Sequence, residues 1–434
     1  MTPSIPPRTA DHPAPAGPVA PPDIDLRRSY AEVRGLTEAL AAPLGPEDQT
    51  VQTMDDVSPT KWHRAHTTWF FETFILGPHR PGYQVHDDAY GYLFNSYYEA
   101  VGSRHPRPQR GLLTRPTTAD VADYRFAVDE AMDALLADEA PDEVAALVTL
   151  GLHHEQQHQE LLLMDIKHVL GTNPLRPAYA LAMTAPAPDP APPVWVDREG
   201  GLVEVGHAGD GFAYDNEGPR HQALVPPHRL GDRLITNGEW QAFIDDDGYR
   251  RSDLWLSDGW AAVCGEGWEA PLYWEQVDGR WHEYTLAGRY PLDPGRPVVH
   301  VSHYEADAFA RWAGARLPSE PEWEAAVADQ CIVEPTFELD GPHPRPPAAG
   351  DTGPLRQAFG EVWQWTSSPY LGYPGFAPAL GAVGEYNGKF MSGQVVLRGS
   401  GCATPPGHTR VTYRNFFPPG ARWAFSGIRL ASDA

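Results

Sequence analysis

A short segment rich in proline and alanine, residues 185–193, divides the chain into two parts with different sequence patterns. Before it, residues 25–184 carry apolar side chains at helical spacing in four long segments, which predicts an up-and-down four-helix bundle. After it, residues 194–434 show short apolar runs, many Gly and Pro residues and scattered Trp, which predicts a loop-rich α+β domain. Residues 1–24 are rich in Pro and Ala and are expected to form a disordered lead. The dividing segment is expected to be a linker.

Local signals place the ends of the predicted helices. Ser58 and Pro59 are an N-cap followed by a proline at the first helical position, which predicts the start of the second helix. A third helix is expected to open near Thr118. The fourth runs from Pro141 to about residue 170, with Gly171 as its stop.

Charge and cysteine content narrow the classes of protein. The formal net charge of -25 disfavours nucleic acid and anionic membranes as partners. No stretch approaches the roughly 20 apolar residues of a transmembrane helix, and the N-terminus lacks the apolar core of a signal peptide. The 3 cysteines have no CxxC spacing, which disfavours a disulfide framework or a thiolate zinc site. A cytoplasmic protein is expected, and a homo-oligomer stays open.

The strongest chemical signal is a histidine pair in the fourth predicted helix. His154 and His158 are four residues apart, so they share a helical face and can chelate one metal ion. The same face carries Leu147 and Leu161, which directs both rings toward the bundle core. His153 points elsewhere and is expected at the surface or beside the site. Two ordinary helix histidines would give the same pattern, so the pair alone does not establish a metal site.

A second histidine cluster, residues 62–69, lies on another predicted helix with an apolar and aromatic face. Either His63 or His66 could supply a third nitrogen, and periodicity does not choose between them. Three neutral imidazoles suit zinc, iron, copper or nickel. Three protein ligands leave coordination positions open, which favours catalysis over a structural metal site.

The loop between these helices combines two tyrosines with evenly spaced arginines. Tyr97 and Tyr98 are adjacent, and Arg104, Arg107 and Arg110 follow at three-residue spacing. Guanidinium groups bind carboxylates through two parallel hydrogen bonds. The pattern therefore favours a loop that binds a carboxylate substrate, although a solvated basic strip would look the same.

Four phrases in the second part carry a resemblance. They lie at residues 297–312, 315–324, 361–366 and 396–401. Their order and spacing resemble the formylglycine-generating-enzyme (sulfatase-modifying factor) domain, which has a C-type-lectin-like fold, from about Glu204 to Leu430. That family's catalytic cysteine pair is missing, and Cys402 falls where the family usually has a tryptophan. Formylglycine-generating activity is therefore not expected.

A DinB-like four-helix bundle with an HxxxH helix, followed by such a C-type-lectin-like α+β domain, resembles the ergothioneine-biosynthesis sulfoxide synthases over nearly the whole chain after residue 25. The resemblance implies an iron(II) enzyme with O2 as cosubstrate. It would form a C–S bond between hercynine (Nα-trimethylhistidine) and a cysteine-type thiol, either γ-glutamylcysteine or cysteine. The family's Ala-His phrase matches Ala65-His66, which implies His66, His154 and His158 as the iron ligands.

The same resemblance implies roles for further side chains. Gln157 would hydrogen-bond the substrate imidazole, while Asn415 and Phe416 would hold its betaine group. Arg107 and Arg110 would bind substrate carboxylates, and the further candidates are Arg104 and Arg422.

Two departures from the mycobacterial type leave the chemistry open. Phe417 stands where that type has an Asp that helps to bind γ-glutamylcysteine, so the thiol is not fixed. Val383 replaces the first tyrosine of its Tyr-x-x-Tyr phrase, which ends here at Tyr386. The pair Tyr97 and Tyr98, with Tyr98 preferred, instead resembles a subgroup in which the catalytic phenol comes from the bundle-side loop.

Three other functions remain as alternatives. One is a related selenoneine- or ovothiol-type synthase with another sulfur or selenium donor or an unmethylated histidine. Another is a DinB-type thiol transferase that uses zinc or nickel. The last is a lectin-like binding protein whose histidines are satisfied within the core.

Overall fold

A computed structural model of the 434-residue chain provides the fold. The structure describes residues 25–180, 192–209, 211–330, 332, 337, 342–347, 353–379, 384 and 387–434. The predicted lead and most of the predicted linker lie outside these residues, as does Tyr386.

The first part of the chain is helical, as predicted. Its helices are α1 Leu26–Ala41, α2 Thr60–Phe71, α3 Gly77–His79, α4 Tyr90–Leu93, α5 Thr118–Leu135 and α6 Asp142–Thr172. A π-helical turn, Glu72–Leu76, continues α2, and a 3-10 helix covers Arg107–Leu112. The long helices α1, α2, α5 and α6 pack together as the bundle. This confirms the helical DinB-like half of the fold prediction.

Helix α2 lies at the centre of the bundle, and every residue from Thr60 to Phe71 is buried. It runs antiparallel to α6, because His63 lies beside Asp165 while Phe71 lies beside Gly151. A Cβ atom on Gly151 would approach the Phe71 ring to 2.7 Å, so this glycine allows close contact between the helices.

Two predicted helix ends differ from the structure for tertiary reasons. Pro59 is the N-cap residue of α2, and Ser58 lies outside the helix, where it bonds Arg110 and Asp165. Helix α6 continues through Gly171 to Thr172. A Cβ atom on Gly171 would lie 2.9 Å from Cδ1 of Tyr284, so this glycine permits packing against the second domain and does not stop the helix.

The second part is an α+β domain, as predicted. Its helices are α7 Asn237–Asp245, α8 Ser257–Glu266, α9 His303–Trp312 and α10 Glu320–Val327. Its strands are β1 Trp195–Arg198, β2 Gly201–Val205, β3 His221–Val225, β4 His228–Gly231, β5 Trp274–Val277, β6 Arg280–Thr285, β7 Gly288–Pro291, β8 Trp363–Pro369, β9 Val395–Arg398, β10 Asn415–Phe417, β11 Ser426–Gly427 and β12 Ala431–Asp433. The strands form four small sheets, ordered β1-β4-β12, β10-β9-β8-β11, β2-β3 and β5-β6-β7. All pairs are antiparallel except β8 with β11.

Helix α6 joins the two parts. The Glu160 carboxylate of α6 accepts hydrogen bonds from the Trp363 indole at 2.6 Å and from the Thr404 hydroxyl at 2.8 Å, and both donors belong to the second domain. A buried polar group needs such partners, so these bonds tie the register of α6 to the second domain. Among the residues with described structure, no helix is both long and apolar enough to cross a membrane.

Candidate metal centre and substrate pocket

Three histidines converge inside the bundle. His66 comes from α2, and His154 and His158 stand one turn apart on α6, with one ring nitrogen of each within 4.8 Å of the others. Nε2 of His66 lies 3.2 Å from Nε2 of His154. Such spacing is that of ligands to a single ion, so the structure brings together the three residues that the resemblance implied.

The orientation of His66 is fixed by its surroundings. Its Nδ1–H donates to the Phe94 carbonyl at 2.6 Å, which leaves the lone pair on Nε2. The ring lies between the stacked indoles of Trp62, with centroids 4.6 Å apart, and Trp69, at 5.6 Å. A metal-binding histidine usually donates its other ring N–H in this way.

His63 lies behind the three histidines and is not one of them. Its Nδ1 is 2.9 Å from Nδ1 of His158, and its Nε2 is 2.9 Å from a carboxylate oxygen of Asp165. Because Nδ1 of His158 is engaged, Nε2 is the atom that His158 can offer to a metal.

Electrostatics favour neutral rings at this centre. Burial, followed by the neighbouring imidazoles, holds the pKa values of His66 and His158 well below their usual range. Burial also lowers the pKa of His154 to about 3. Neutral imidazoles present lone pairs, so the donor set fits zinc, iron, copper or nickel.

Arg110 is the one arginine of the loop that reaches this centre. It is 4% exposed, donates to the Ser58 hydroxyl at 2.9 Å and lies 3.4 Å above the Trp62 ring. Its Nε has no hydrogen-bond partner, and within the described part of the chain no carboxylate forms an ion pair with it. Burial, followed by the nearby Arg107, lowers its pKa.

The other predicted arginines lie elsewhere and already have partners. Arg104 is exposed and forms an ion pair with Glu99, while the exposed Arg107 donates to the Asp56 carbonyl. Arg422 pairs with Glu305 at 2.9 Å within the second domain.

Gln157 meets the second domain at the edge of the centre. Its amide nitrogen donates to the Tyr413 hydroxyl at 2.6 Å, and its buried amide oxygen has no hydrogen-bond partner among the residues that the structure describes. The Tyr413 hydroxyl also lies 3.2 Å from Nε2 of His408, and burial raises the Tyr413 pKa, which keeps it a neutral phenol. Sequence reasoning missed this residue, although it precedes the predicted Asn415 by two positions.

Strand β10 supplies the remaining predicted side chains of the second domain. Phe416 stacks on Tyr370 with ring centroids 3.9 Å apart, and Phe417 packs edge-on against Trp423 at 5.5 Å. Asn415 begins the strand and is half-buried. The strand is preceded by Arg414, whose buried ion pair with Glu320 anchors it.

The two loop tyrosines face different surroundings. Tyr98 is 1% exposed and packs against Trp69 and Phe74 inside the bundle. Tyr97 is half-buried and packs edge-on against Phe390 of the second domain at 5.2 Å. Tyr97 therefore lies at the domain boundary, while Tyr98 lies behind the Trp69 indole that stacks on His66.

His153 also lies at the domain boundary. Its ring stacks on Phe212 at 3.8 Å, and its Nδ1 is 3.0 Å from Nδ1 of His408. It is thus beside the site and not part of the histidine cluster.

Comparison with known proteins agrees with this architecture. Residues 29–169 match the DinB superfamily, and residues 180–333 and 350–434 match the sulfatase-modifying factor enzyme 1-like domain. A formylglycine-generating enzyme of Streptomyces coelicolor is 32% identical over 34% of this chain and 54% of its own.

Two relatives match both halves together. The hercynine oxygenase of Mycolicibacterium thermoresistibile is 33% identical over 96% of each chain. That of Mycobacterium tuberculosis is 34% identical over 87% of this chain and 91% of its own. With the bundle, the second domain and the three-histidine cluster all in place, the chain belongs to the hercynine oxygenase family, a family of oxidoreductases.

Proposed function

We propose that this protein binds iron(II) at His66, His154 and His158 and uses O2 to join hercynine to a cysteine-type thiol. The reaction forms the C–S bond and oxidises sulfur, so that a C–H group, a thiol and O2 give a sulfoxide and water. The observation that carries the proposal is the cluster of three neutral imidazoles, two of them buried and that of His158 half-buried, with no carboxylate among the described residues of the cluster. The hercynine oxygenases that match nearly the whole chain support the substrate.

An iron(II) ion at this centre would supply electrons to O2 while holding both organic partners side by side. The protein contributes binding and orientation, and such proximity can lower a barrier by roughly 7–11 kcal/mol at best. Three protein ligands leave room for an imidazole, a sulfur atom and O2.

The hercynine side is formed by α6 and β10. The partnerless amide oxygen of Gln157 can accept the N–H of the substrate imidazole. Its amide nitrogen donates to the Tyr413 hydroxyl, and in this orientation the amide oxygen is the atom that faces the substrate side. Asn415 and the Phe416 ring would then meet the trimethylammonium and carboxylate groups, since aromatic faces attract quaternary ammonium ions.

The thiol side is formed by Arg110. A buried guanidinium that forms no ion pair within the described part of the chain is costly, and a substrate carboxylate would neutralise it. Phe417 packs on Trp423 and offers no polar group for a glutamyl extension. Arg110 could bind the carboxylate of either thiol, whereas the apolar surroundings of Phe417 favour cysteine over γ-glutamylcysteine as the donor.

The phenol that donates a proton or hydrogen atom during the reaction comes from the loop pair. The sequence comparison preferred Tyr98, but the position of Tyr97 at the domain boundary supports Tyr97 instead. Phe390 packs on Tyr97, and its ring centroid is also 5.9 Å from that of Phe416 on the hercynine side. Replacing Tyr97 with Phe removes only the hydroxyl, and we expect thiol dioxygenation in place of the sulfoxide. Product ratios for Tyr97→Phe, Tyr98→Phe and Tyr386→Phe test this, and unchanged product from both loop variants would place the phenol elsewhere.

One experiment tests the main proposal. The protein is loaded anaerobically with iron(II), given hercynine and a panel of thiols and one selenol, and then exposed to O2, with products identified by mass spectrometry. We expect a hercynyl sulfoxide with cysteine, and no product from His66→Ala. His168→Ala is the control, because His168 is on α6 but bonds Thr53.

Other outcomes identify the alternatives. Product only with the selenol indicates a selenoneine-type synthase. A parallel assay with unmethylated histidine in place of hercynine tests the ovothiol-type synthase, which would give product only there. Thiol transfer without O2 and with zinc or nickel indicates a DinB-type transferase.

A further inference from the structure

A line of buried hydrogen bonds runs from the second domain to the back of His158. The Trp423 indole donates to Oδ1 of Asp165 at 3.2 Å. Oδ2 of Asp165 lies 2.9 Å from Nε2 of His63, and Nδ1 of His63 lies 2.9 Å from Nδ1 of His158. Asp165, His63 and Trp423 are 3%, 2% and 6% exposed, so water does not compete for these bonds.

The donors around Asp165 fix the direction of every proton in this line. The Ser58 backbone N–H donates to Oδ2 at 2.8 Å, and the Trp423 indole can only donate, so both oxygens of Asp165 act as acceptors. Nε2 of His63 therefore carries its hydrogen. A His158 that offers the lone pair of Nε2 to a metal carries its hydrogen on Nδ1, and Nδ1 of His63 is placed to accept that hydrogen.

The structure assigns to Asp165 and His63 the role of positioning residues for His158. They hold the Nδ1–H tautomer and the ring orientation in which Nε2 faces the metal, and Trp423 makes the second domain part of this arrangement. The inference rests on the proposed metal function of the three histidines. Carboxylate or histidine groups behind a metal ligand commonly raise metal affinity by about 10–100-fold.

The contrast with His66 makes the role specific. His66 is oriented by a backbone carbonyl, that of Phe94, which no side-chain substitution removes. His158 is oriented by the side chains of His63 and Asp165, and the Trp423 indole that donates to Asp165 comes from the second domain. Substitutions in the hydrogen-bond line formed by Trp423, Asp165 and His63 should therefore weaken metal binding, although none of them changes His66, His154 or His158.

Asp165→Asn is the first test. An asparagine amide must turn its NH2 group either toward the Trp423 indole N–H or toward Ser58 N–H and His63. In the first orientation the amide NH2 group and the indole N–H, both donors, face each other. In the second orientation the NH2 group donates to Nε2 of His63, so that Nδ1 of His63 carries the hydrogen and Nδ1 of His158 must accept it. We expect the Kd for cobalt(II), followed by its visible absorption, to rise about 10–100-fold.

A second variant distinguishes two causes of weaker binding in Asp165→Asn, the changed direction of the hydrogen bonds and the lost negative charge. In Asp165→Asn combined with Trp423→Phe, the amide NH2 no longer faces an indole N–H, so its oxygen can accept from His63. We expect the double variant to bind cobalt(II) more tightly than Asp165→Asn alone. Weaker binding by the double variant would overturn the assignment.

Matched variants complete the experiment. Glu160→Gln alters another buried α6 carboxylate that accepts from a second-domain tryptophan, and its cobalt(II) Kd should stay within about twofold of wild type. His63→Leu removes the line at another point and serves if Asp165→Asn does not fold, as judged by thermal unfolding. Wild-type Kd values in both Asp165→Asn and His63→Leu would refute the positioning role. Wild-type affinity in His66→Ala would instead refute the proposed metal centre.

Discussion

The bundle holds buried arginines in two opposite situations. Arg34 and Arg125 both bond the fully buried Glu155, at 2.9 and 3.0 Å. Arg110, equally buried, has a serine hydroxyl and an indole ring as neighbours. A buried charge that is paired within the fold serves the fold, whereas one left unpaired indicates a charge that arrives from outside.

The paired region should be the more sensitive to mutation. Burial alone would raise the pKa of Glu155, but Arg34 and Arg125 outweigh it and the net direction is down. We expect Glu155→Gln to lower the free energy of unfolding by about 3 kcal/mol, because it weakens two hydrogen bonds between charged groups that are worth about 1.5–3 kcal/mol each. Arg34 and Arg125 keep their other partners, Asp129 and Glu38. Urea denaturation of the metal-free protein measures this. If the free energy of unfolding falls by less than about 1 kcal/mol, the ion pairs of Glu155 do not stabilise the fold in the way that distinguishes Arg34 and Arg125 from Arg110.

Arg110 should show the reverse behaviour. We expect Arg110→Met to keep or increase the free energy of unfolding, since it removes a buried charge that forms no ion pair with any described residue. The KM for the thiol should rise about 10–100-fold with little change in turnover at saturation, as for a contact present throughout the reaction worth about 1.5–3 kcal/mol. Denaturation and steady-state kinetics measure the two effects. A clear loss of stability with unchanged KM would make Arg110 a structural cation.

Lys167 is a buried cation that lies between these two situations. It has a hydrogen-bond partner, but that partner is the neutral His300, whose Nε2 is 2.7 Å from the lysine Nζ. Burial lowers the Lys167 pKa to about 8, although Glu283 and Cys402 oppose this, and an unfolded lysine titrates near about 10.4. Between these values the unfolded chain binds more protons, so stability rises with pH. We expect Lys167→Met to abolish a gain of about 2 kcal/mol between about pH 7.5 and 9.5.

Denaturation at the two pH values, compared with the exposed control Lys389→Met, checks this prediction. If wild type and Lys167→Met gain stability equally over that range, Lys167 is not held with a depressed pKa.

The exposed arginines should give the smallest effects. Arg104→Ala and Arg107→Ala remove side chains that are solvated and already bonded, so stability should change by less than about 0.5 kcal/mol. The thiol KM should rise by no more than about threefold, since exposed charge pairs are worth little. If the thiol KM rises as much in Arg107→Ala as in Arg110→Met, both arginines bind the carboxylate, as the family resemblance implied.

Sequence patterns predicted much of this architecture because they report local order. The four-residue spacing placed His154 and His158 on one face, and the change of pattern near residue 185 separated the two folds. The choice of His66 over His63 came from a family phrase, since α2 is buried on all sides and its periodicity identifies no face. Both rings do lie in the centre, one as a candidate ligand and one behind a ligand.

What the sequence could not give depends on distant partners. Arg104, Arg107 and Arg110 look alike in the chain, and only the positions of Ser58 and Trp62 distinguish Arg110. Ser58 itself reads as a helix cap, yet its backbone and hydroxyl are used by Asp165 and Arg110. Such roles arise from tertiary contacts that no local pattern encodes.

Helix α6 bonds to the second domain through Gln157, Glu160 and Asp165, whose partners are Tyr413, Trp363 and Trp423. The structural unit at this boundary is consequently the helix together with these three aromatic residues of the second domain. A chimera that grafts a foreign second domain onto this bundle would have to carry those aromatic residues with it. Without them, three polar side chains of α6 would each lose a hydrogen-bond partner. The chimera would then be destabilised at the helix that carries His154 and His158.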